Sequence, residues 1–159
     1  MEQITIRNSA KAIILQKKRL LAIEMKDSIG PWYMLPGGGQ HPNETLHNAL
    51  RRECIEEINS EIKIGRLSFI REYISINHEF AGKGPECHQI EYMFLCELEE
   101  GSVVTKGICP DQGQIGIKWI NIEEIENHRL YPLSLRGRLK EIARNKTGIE
   151  EDIYLGDIN

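Results

Sequence analysis

Residues 38–60, GGQHPNETLHNALRRECIEEINS, constrain this chain more than any other segment. Glycines open it, Glu44 follows, and Arg52-Glu53 and Glu56-Glu57 close it. The acids at 53, 56 and 57 stand at i, i+3 and i+4, a spacing that a helix gathers onto one face. Three carboxylates that close repel one another. At about 6 Å and an effective dielectric of about 20, each pair costs about 3 kcal/mol. A divalent cation is the simplest compensation.

The remainder of the chain describes an ordinary globular protein. It has 159 residues, 40% hydrophobic and 28% charged, with a formal net charge of -4. That composition suits a single α/β domain over 1–159, with a core of its own and neither repeats nor linkers. A mildly acidic surface supplies no attraction for duplex nucleic acid. No apolar run approaches the roughly 18 residues of a membrane span, and the first twenty residues lack the form of a secretory signal. Cys54, Cys87, Cys96 and Cys109 form no Cys-x-x-Cys pair. They read as reduced thiols of a cytoplasmic protein.

Apolar runs at 11–16 and 20–25, split by Lys17-Lys18-Arg19, predict an antiparallel strand pair. Residues 27–31 form a loop and 32–35 a short strand. Gly37-Gly38-Gly39 fits no regular element well. A helix is expected from about 44 to 58, with Asn43 as its N-cap and Leu46, Leu50, Cys54 and Ile58 as its apolar stripe. Then come a long or bent strand at 62–77, a loop at 78–87 and a central strand at 90–98. A polar connection at 99–113 leads to a strand at 116–120. Helices are expected at 122–126 and 134–144, with a last strand or surface segment at 152–155.

A hard cation takes oxygen ligands, and Glu53, Glu56 and Glu57 supply three from one rigid face. Gly38 offers a backbone carbonyl. Magnesium suits this set, with manganese as a substitute, and completes its shell with water and phosphate oxygens. The site therefore suits a phosphate or diphosphate ester, and metal-assisted hydrolysis is the matching chemistry. Arg52 is placed to pair with a neighbouring glutamate. Zinc fits poorly, because the cluster holds neither cysteine nor histidine. His78, Cys87 and His88 match no standard zinc spacing. A P-loop is excluded, since the glycines lack the lysine and hydroxyl that follow in one. Tyr73, Trp119 and Tyr131 are candidates to stack on a base, with packing as the default for each. Arg71 and Arg129 are candidates to meet phosphate, with a surface role as the default.

The order Gly38, five residues, Glu44, seven residues, Arg52-Glu53, Cys54, one residue, Glu56-Glu57 resembles the Nudix box, G-x5-E-x7-R-E-U-x-E-E-x-G-U. Residues 32–37, WYMLPG, resemble the usual lead-in. The chain departs from the pattern at Asn59 for glycine, at Ser60 for an apolar residue and at Cys54 as a small apolar substitute. Asparagine is among the few residues that accept a left-handed backbone, so Asn59 is a mild change; Asn43 has the same property.

The resemblance implies an α/β/α sandwich around a mixed sheet. It also implies hydrolysis of a nucleoside diphosphate linked to another moiety. It assigns Glu53, Glu56 and Glu57 to metal, with the Gly38 carbonyl added, and gives Glu44 a supporting role. The catalytic set is then Glu56, Glu57 and Arg52, with Glu91 as a general base outside the box. A strand-end salt bridge is the plainer reading of Glu91. Homodimers are common in the family, which makes one an expected assembly. The same fold also serves as a nucleotide sensor without turnover, or as an isomerase acting on a diphosphate. Substrates open to it are nucleoside triphosphates, dinucleotide polyphosphates and nucleotide sugars. A proline about fifteen residues past the box, which often marks enzymes acting on ADP-ribose, is missing here.

Overall fold

The structure, a computed structural model, describes residues 4–145 and 152–159. Residues 1–3 and 146–151 of the expected 1–159 domain lie outside the described residues. Among the described residues, four strands precede the first α-helix, four lie between it and the second, and a ninth strand follows. Strand β1 (Ile6–Gln16) is central. It runs parallel to β6 (His88–Leu98), antiparallel to β4 (Gly37–Gly39) and, at its end, antiparallel to β2 (Arg19–Lys26). Its even residues Ala10, Ala12 and Ile14 and its odd residues Ser9, Lys11 and Ile13 are all buried. A strand covered on both faces accounts for that pattern. The turn between β1 and β2 sets Lys17 and Lys18 at φ 49° and 58°. Positive φ at both positions matches the twist that a two-residue hairpin needs.

Beyond β6 lies β5 (Ile62–Ile74), and β9 (Tyr154–Asp157) pairs parallel to it. Irregular pairing between Ile64 and Phe69 bends β5. On the other side, β2 carries β3 (Pro31–Met34) and β7 (Gln114–Asn121), and β3 carries β8 (Leu130–Tyr131). The result is a mixed, curled sheet with a helix on each side. Helix α1 (Leu46–Ile58) buries Leu50, Cys54 and Ile58 against Ala10, Ala12, Ile14 and Phe94. Helix α2 (Arg136–Asn145) places Leu139 and Ile142 against Ile13, Phe69 and Met93.

Two expectations need correction. The three glycines do form a strand, because β1 supplies a ladder for them. Helix α1 starts at Leu46, and its N-cap is Thr45, whose hydroxyl accepts from the Asn48 N–H at 3.2 Å. Asn43 instead turns the chain at φ 65°. Asn59 takes φ 52° and donates its N–H to the Ile55 carbonyl at 3.1 Å. It thus ends the helix in the left-handed conformation that its side chain tolerates.

Leu50 is fully buried between α1 and β1. Leu50→Ala is expected to cost about 2–5 kcal/mol of stability, read as a shift in the urea unfolding midpoint with an unchanged slope.

Candidate active site

The acidic face of α1 sits directly on β4, and glycine is what allows it. A Cβ on Gly38 would lie 2.6 Å from the Glu53 carboxyl. On the opposite face of the same strand, a Cβ on Gly39 would fall inside the Arg7 guanidinium. Gly37 runs at φ 122°, with the Ala10 carbonyl occupying the place of a side chain. Ladder bonds from Ala12 N–H to the Pro36 carbonyl and from Gln40 N–H to the Asn8 carbonyl flank the Ala10–Gly38 pair. Hydrogen-bonded pairs alternate along such a ladder, so the Gly38 carbonyl points toward β1. What the structure shows of Gly38 is the missing Cβ that admits Glu53.

Arg52 organises the acids. Its Nε and Nη2 donate to the two Glu44 oxygens at 2.9 and 3.0 Å, and Nη2 also donates to the Gly39 carbonyl at 3.0 Å. Nη1 reaches Glu53 Oε1 at 2.9 Å and Glu56 Oε2 at 3.3 Å. The fork of a guanidinium can serve several oxygens at once, which an ammonium cannot do with the same geometry. Arg52 and the His41 N–H hold the Glu44 carboxyl down at about 2.

Glu57 is fully buried. Its Oε2 accepts the Gly37 N–H at 2.7 Å, while its Oε1 has no partner among the described residues. Burial pushes its carboxyl up to about 7, against the pull of Lys11 and the Gly37 amide. Lys11 is itself buried and donates to the Gly37 carbonyl at 2.6 Å. The end of α1 is strapped by the connection before β7. N–H groups of Cys109, Gly107 and Thr105 donate to the carbonyls of Glu56, Glu57 and Ile58 at 3.0–3.1 Å. Gln114 Nε2 adds a second bond to the Glu57 carbonyl at 3.1 Å. These groups satisfy carbonyls that a helix end leaves open. A Cβ on Gly107 would collide with the Glu56 carbonyl, so glycine is required there.

On the far face of β4 lies a cavity of about 540 Å³, bounded by Gly37–Gly39 and by Arg7, Ser9 and Lys11 of β1. Glu91 lies in it, in the body of β6 and not at its end. Its two oxygens accept from Arg71 Nε at 2.5 Å and Gln89 Nε2 at 2.8 Å. Burial alone would raise this carboxyl, but Arg71 and Lys11 outweigh burial and lower it. Both oxygens are engaged and the group is weakly basic, so the geometry makes Glu91 the anchor of Arg71 more readily than a general base.

Trp32, Phe80 and Tyr131 form an aromatic wall, with ring centroids 5.9 Å apart for Trp32–Tyr131 and 5.6 Å for Phe80–Tyr131. Tyr73 also lines the cavity, whereas Trp119 packs away from it under Arg19. Arg129 reaches the cavity paired with Asp27 at 2.8 Å. His78 bonds Asp157 at 2.6 Å and His88 faces Glu72 at 3.5 Å, so neither converges with Cys87 on a metal. Sequence reasoning missed Trp32, Phe80, Asp111 and the strap. Gly107 was the only local sign of the strap, and the ring contacts join residues far apart in the chain.

The oxygens present fit a hard divalent ion. Glu57 Oε1, buried without a donor beside the Glu53 carboxylate, is an atom whose missing partner a cation would supply. Among the described residues no three acidic, histidine or cysteine side chains are already gathered as a closed cage. Arg52 holds Glu53 and Glu56 instead.

Sequence comparison matches residues 4–139 to the NUDIX domain. The chain belongs to the Nudix family. It is 31% identical over 135 residues to "Putative nudix hydrolase 1" of Caenorhabditis elegans, covering 81% of this chain and about a third (32%) of that relative. It is 28% identical over 117 residues to "Nucleoside triphosphatase NudI" of Salmonella typhimurium, covering 69% of this chain and 79% of the relative. Among solved structures, a NUDIX hydrolase from Nitrosomonas europaea superposes with a TM-score of 0.69 at 16% identity, over 99% of this chain and 82% of that one. That likeness shows the shared fold.

The Glu44–Arg52 contact carries a pH signature. The Glu44 carboxyl stands near 2 in the folded chain against 4.5 as its ordinary value. Its stabilisation is therefore present above 4.5 and lost as pH falls towards 2. Glu44→Gln is expected to flatten the acid limb of the stability curve between those values, measured by urea unfolding at a series of pH values.

Proposed function

We propose that this chain is a divalent-metal-dependent hydrolase that cleaves a phosphoanhydride bond in a nucleoside diphosphate linked to another moiety. The unpartnered, fully buried Oε1 of Glu57 carries this reading. Glu53, Glu56 and Glu57 would hold the ion, with magnesium as the resident metal and manganese as a substitute. When bound, the ion supplies Lewis-acid polarisation of the phosphoryl group and acidifies water. Arg52 positions Glu53 and Glu56 through its Nη1. The Gly37 amide fixes the orientation of Glu57. Glu91 holds the Arg71 guanidinium at the cavity.

The cavity volume suits a nucleotide, and the wall of Trp32, Phe80 and Tyr131 suits stacking of its base. The triphosphatase name of the Salmonella relative points to the same substrate class. All four cysteines are unpaired, and among the described residues no helix is long and apolar enough to cross a membrane. We read the chain as a cytoplasmic enzyme working on a small molecule, alone or as a homodimer.

A panel of nucleotides with magnesium, read by phosphate and pyrophosphate release, tests this reading. Among the described residues Arg52 is the hydrogen-bond partner of the Glu56 side chain, which is 35% exposed. Glu56→Gln is therefore expected to lower kcat by about 100-fold or more while the unfolding midpoint stays near that of the parent. Chelation with EDTA is expected to abolish turnover, and added magnesium to restore it. Tight nucleotide binding without release of any phosphate-bearing fragment would make the chain a sensor. Rearrangement of a diphosphate without fragmentation would make it an isomerase.

A further inference from the structure

We propose that Asp157 is a positioning residue for base recognition. It locks the turn after β5, and that turn carries Phe80 to the mouth of the cavity, where a flat aromatic base can stack. This inference rests on the nucleotide reading above and adds to it the residue that sets selectivity for a base.

The lock begins where a strand runs out of partners. β5 ends at Ile74, and Ser75–Asn77 form a single tight turn. The loop that follows holds Gly82 and Gly84. Such a segment carries conformational freedom that a ligand would otherwise have to remove on binding. β9 supplies the restraint. Its register sets Asp157 beside Glu72, and the Ile158 N–H donates to the Glu72 carbonyl at 3.2 Å. From there the Asp157 side chain reaches past the end of the ladder. Its Oδ1 accepts from the Ile74 N–H at 2.9 Å and bonds His78 Nε2 at 2.6 Å, and its Oδ2 accepts from Asn77 Nδ2 at 2.8 Å. One carboxylate thus ties together the strand end, the turn and the start of the loop. Residues 152–159 lie outside the stretch 4–139 that matches the NUDIX domain, so the lock is not part of the matched region.

The ties converge on Phe80. The two residues before it are both held from the β9 segment: His78 by Asp157, and Glu79 Oε1 by Asn159 Nδ2 at 3.1 Å. Bonds from the Ala81 N–H to the His78 carbonyl and from the Lys83 N–H to the Phe80 carbonyl stay within the loop and shape it without placing it. The His78 imidazole stacks on Tyr73 at 5.2 Å with the planes 12° apart. Phe80 meets Tyr131 edge-on and keeps 36% of its surface exposed. Tyr73, Phe80 and Tyr131 all line the cavity. A ring braced at its edge and open on the cavity side is ready to stack on a base, and the ordering cost is met before the ligand arrives.

Calorimetric titration of the full chain in EDTA tests this, with AMP, GMP, CMP and UMP as probes and ribose 5-phosphate as their base-free counterpart. The parent is expected to bind the best of the four about tenfold more tightly than ribose 5-phosphate. Asp157→Ala is expected to lose about tenfold for that nucleotide and about twofold at most for ribose 5-phosphate. Asp157→Asn keeps an oxygen for the Ile74 N–H, which preserves the fold even where Asp157→Ala does not, and its loss is expected to fall between. Phe80→Ala removes an exposed ring and is expected to match Asp157→Ala. The two together are expected to lose no more than either alone, because one residue acts through the other. An Asp157 that merely supports the fold would weaken both kinds of ligand alike, or add its loss to that of Phe80→Ala. Either result overturns the proposal, as does parent-like binding in both Asp157 variants or a parent that prefers no nucleotide over ribose 5-phosphate. With magnesium, Asp157→Ala is expected to raise KM and leave kcat within about twofold. Hydrolysis indifferent to Asp157 and Phe80 sinks the lock and leaves the hydrolase standing. Base-selective binding that depends on Asp157, with no hydrolysis of any nucleotide, does the reverse.

Discussion

The contact between the acidic face of α1 and the bare strand β4 is the constraint on which the site depends. A carboxylate buried as fully as Glu57 is costly unless its oxygens find donors. One does, at the Gly37 amide 2.7 Å away. That bond fixes the rotation of the helix about its own axis, because Glu53 must then lie over Gly38 and Glu56 must face outward towards Arg52. Any side chain on β4 would push the helix off. The strap of residues 105–109 holds the other end by capping the carbonyls of Glu56, Glu57 and Ile58. A helix with both ends tied and one face pressed on backbone is rigid enough to hold three carboxylates in place.

Arg52 resolves the repulsion that this geometry creates. Isolated exposed ion pairs contribute little, but a guanidinium shared among three carboxylates and a carbonyl is a network with few degrees of freedom. It leaves the acids unequal. Glu44 is fully paired and serves as a brace. Glu53 and Glu56 each keep an oxygen free of Arg52, and Glu57 lies beyond its reach. The oxygens still without Arg52 as a donor thus come from 53, 56 and 57, the residues proposed to hold the ion.

Much of this was legible in the chain because it is local. Helical spacing placed the acids together, and the apolar stripe of Leu50, Cys54 and Ile58 told which face was buried. Asn59 could be read as a left-handed cap from its chemistry alone. What escaped was set by partners distant in sequence. Three glycines look unstructured until β1 is there to pair with them. Asn43 and Thr45 compete for the cap, and the turn at residues 41–44 decides it. Glu91 and Arg71 lie twenty residues apart and meet only because β5 and β6 pair in that register. The connection before β7 was plainly polar, but its hydrogen bonds to the helix end depend on its path.

The sheet divides the labour between its faces. Ala10, Ala12 and Ile14 of β1 support α1, and Arg7, Ser9 and Lys11 meet the cavity, so the acid-bearing helix and the cavity rest on alternate positions of one strand. Gly37 stands at the junction. Its amide holds Glu57 and its carbonyl holds Lys11, so the two side chains are tied to one residue through its two adjoining peptide groups. A protein that only sensed a nucleotide would need the cavity and its cations. It would not need a buried carboxylate with a free oxygen, which an apolar residue at 57 would replace at lower cost. That the chain retains Glu57 in this state favours chemistry over binding alone. A cation shared by the carboxylate edge and the substrate would satisfy both sides of β4 together.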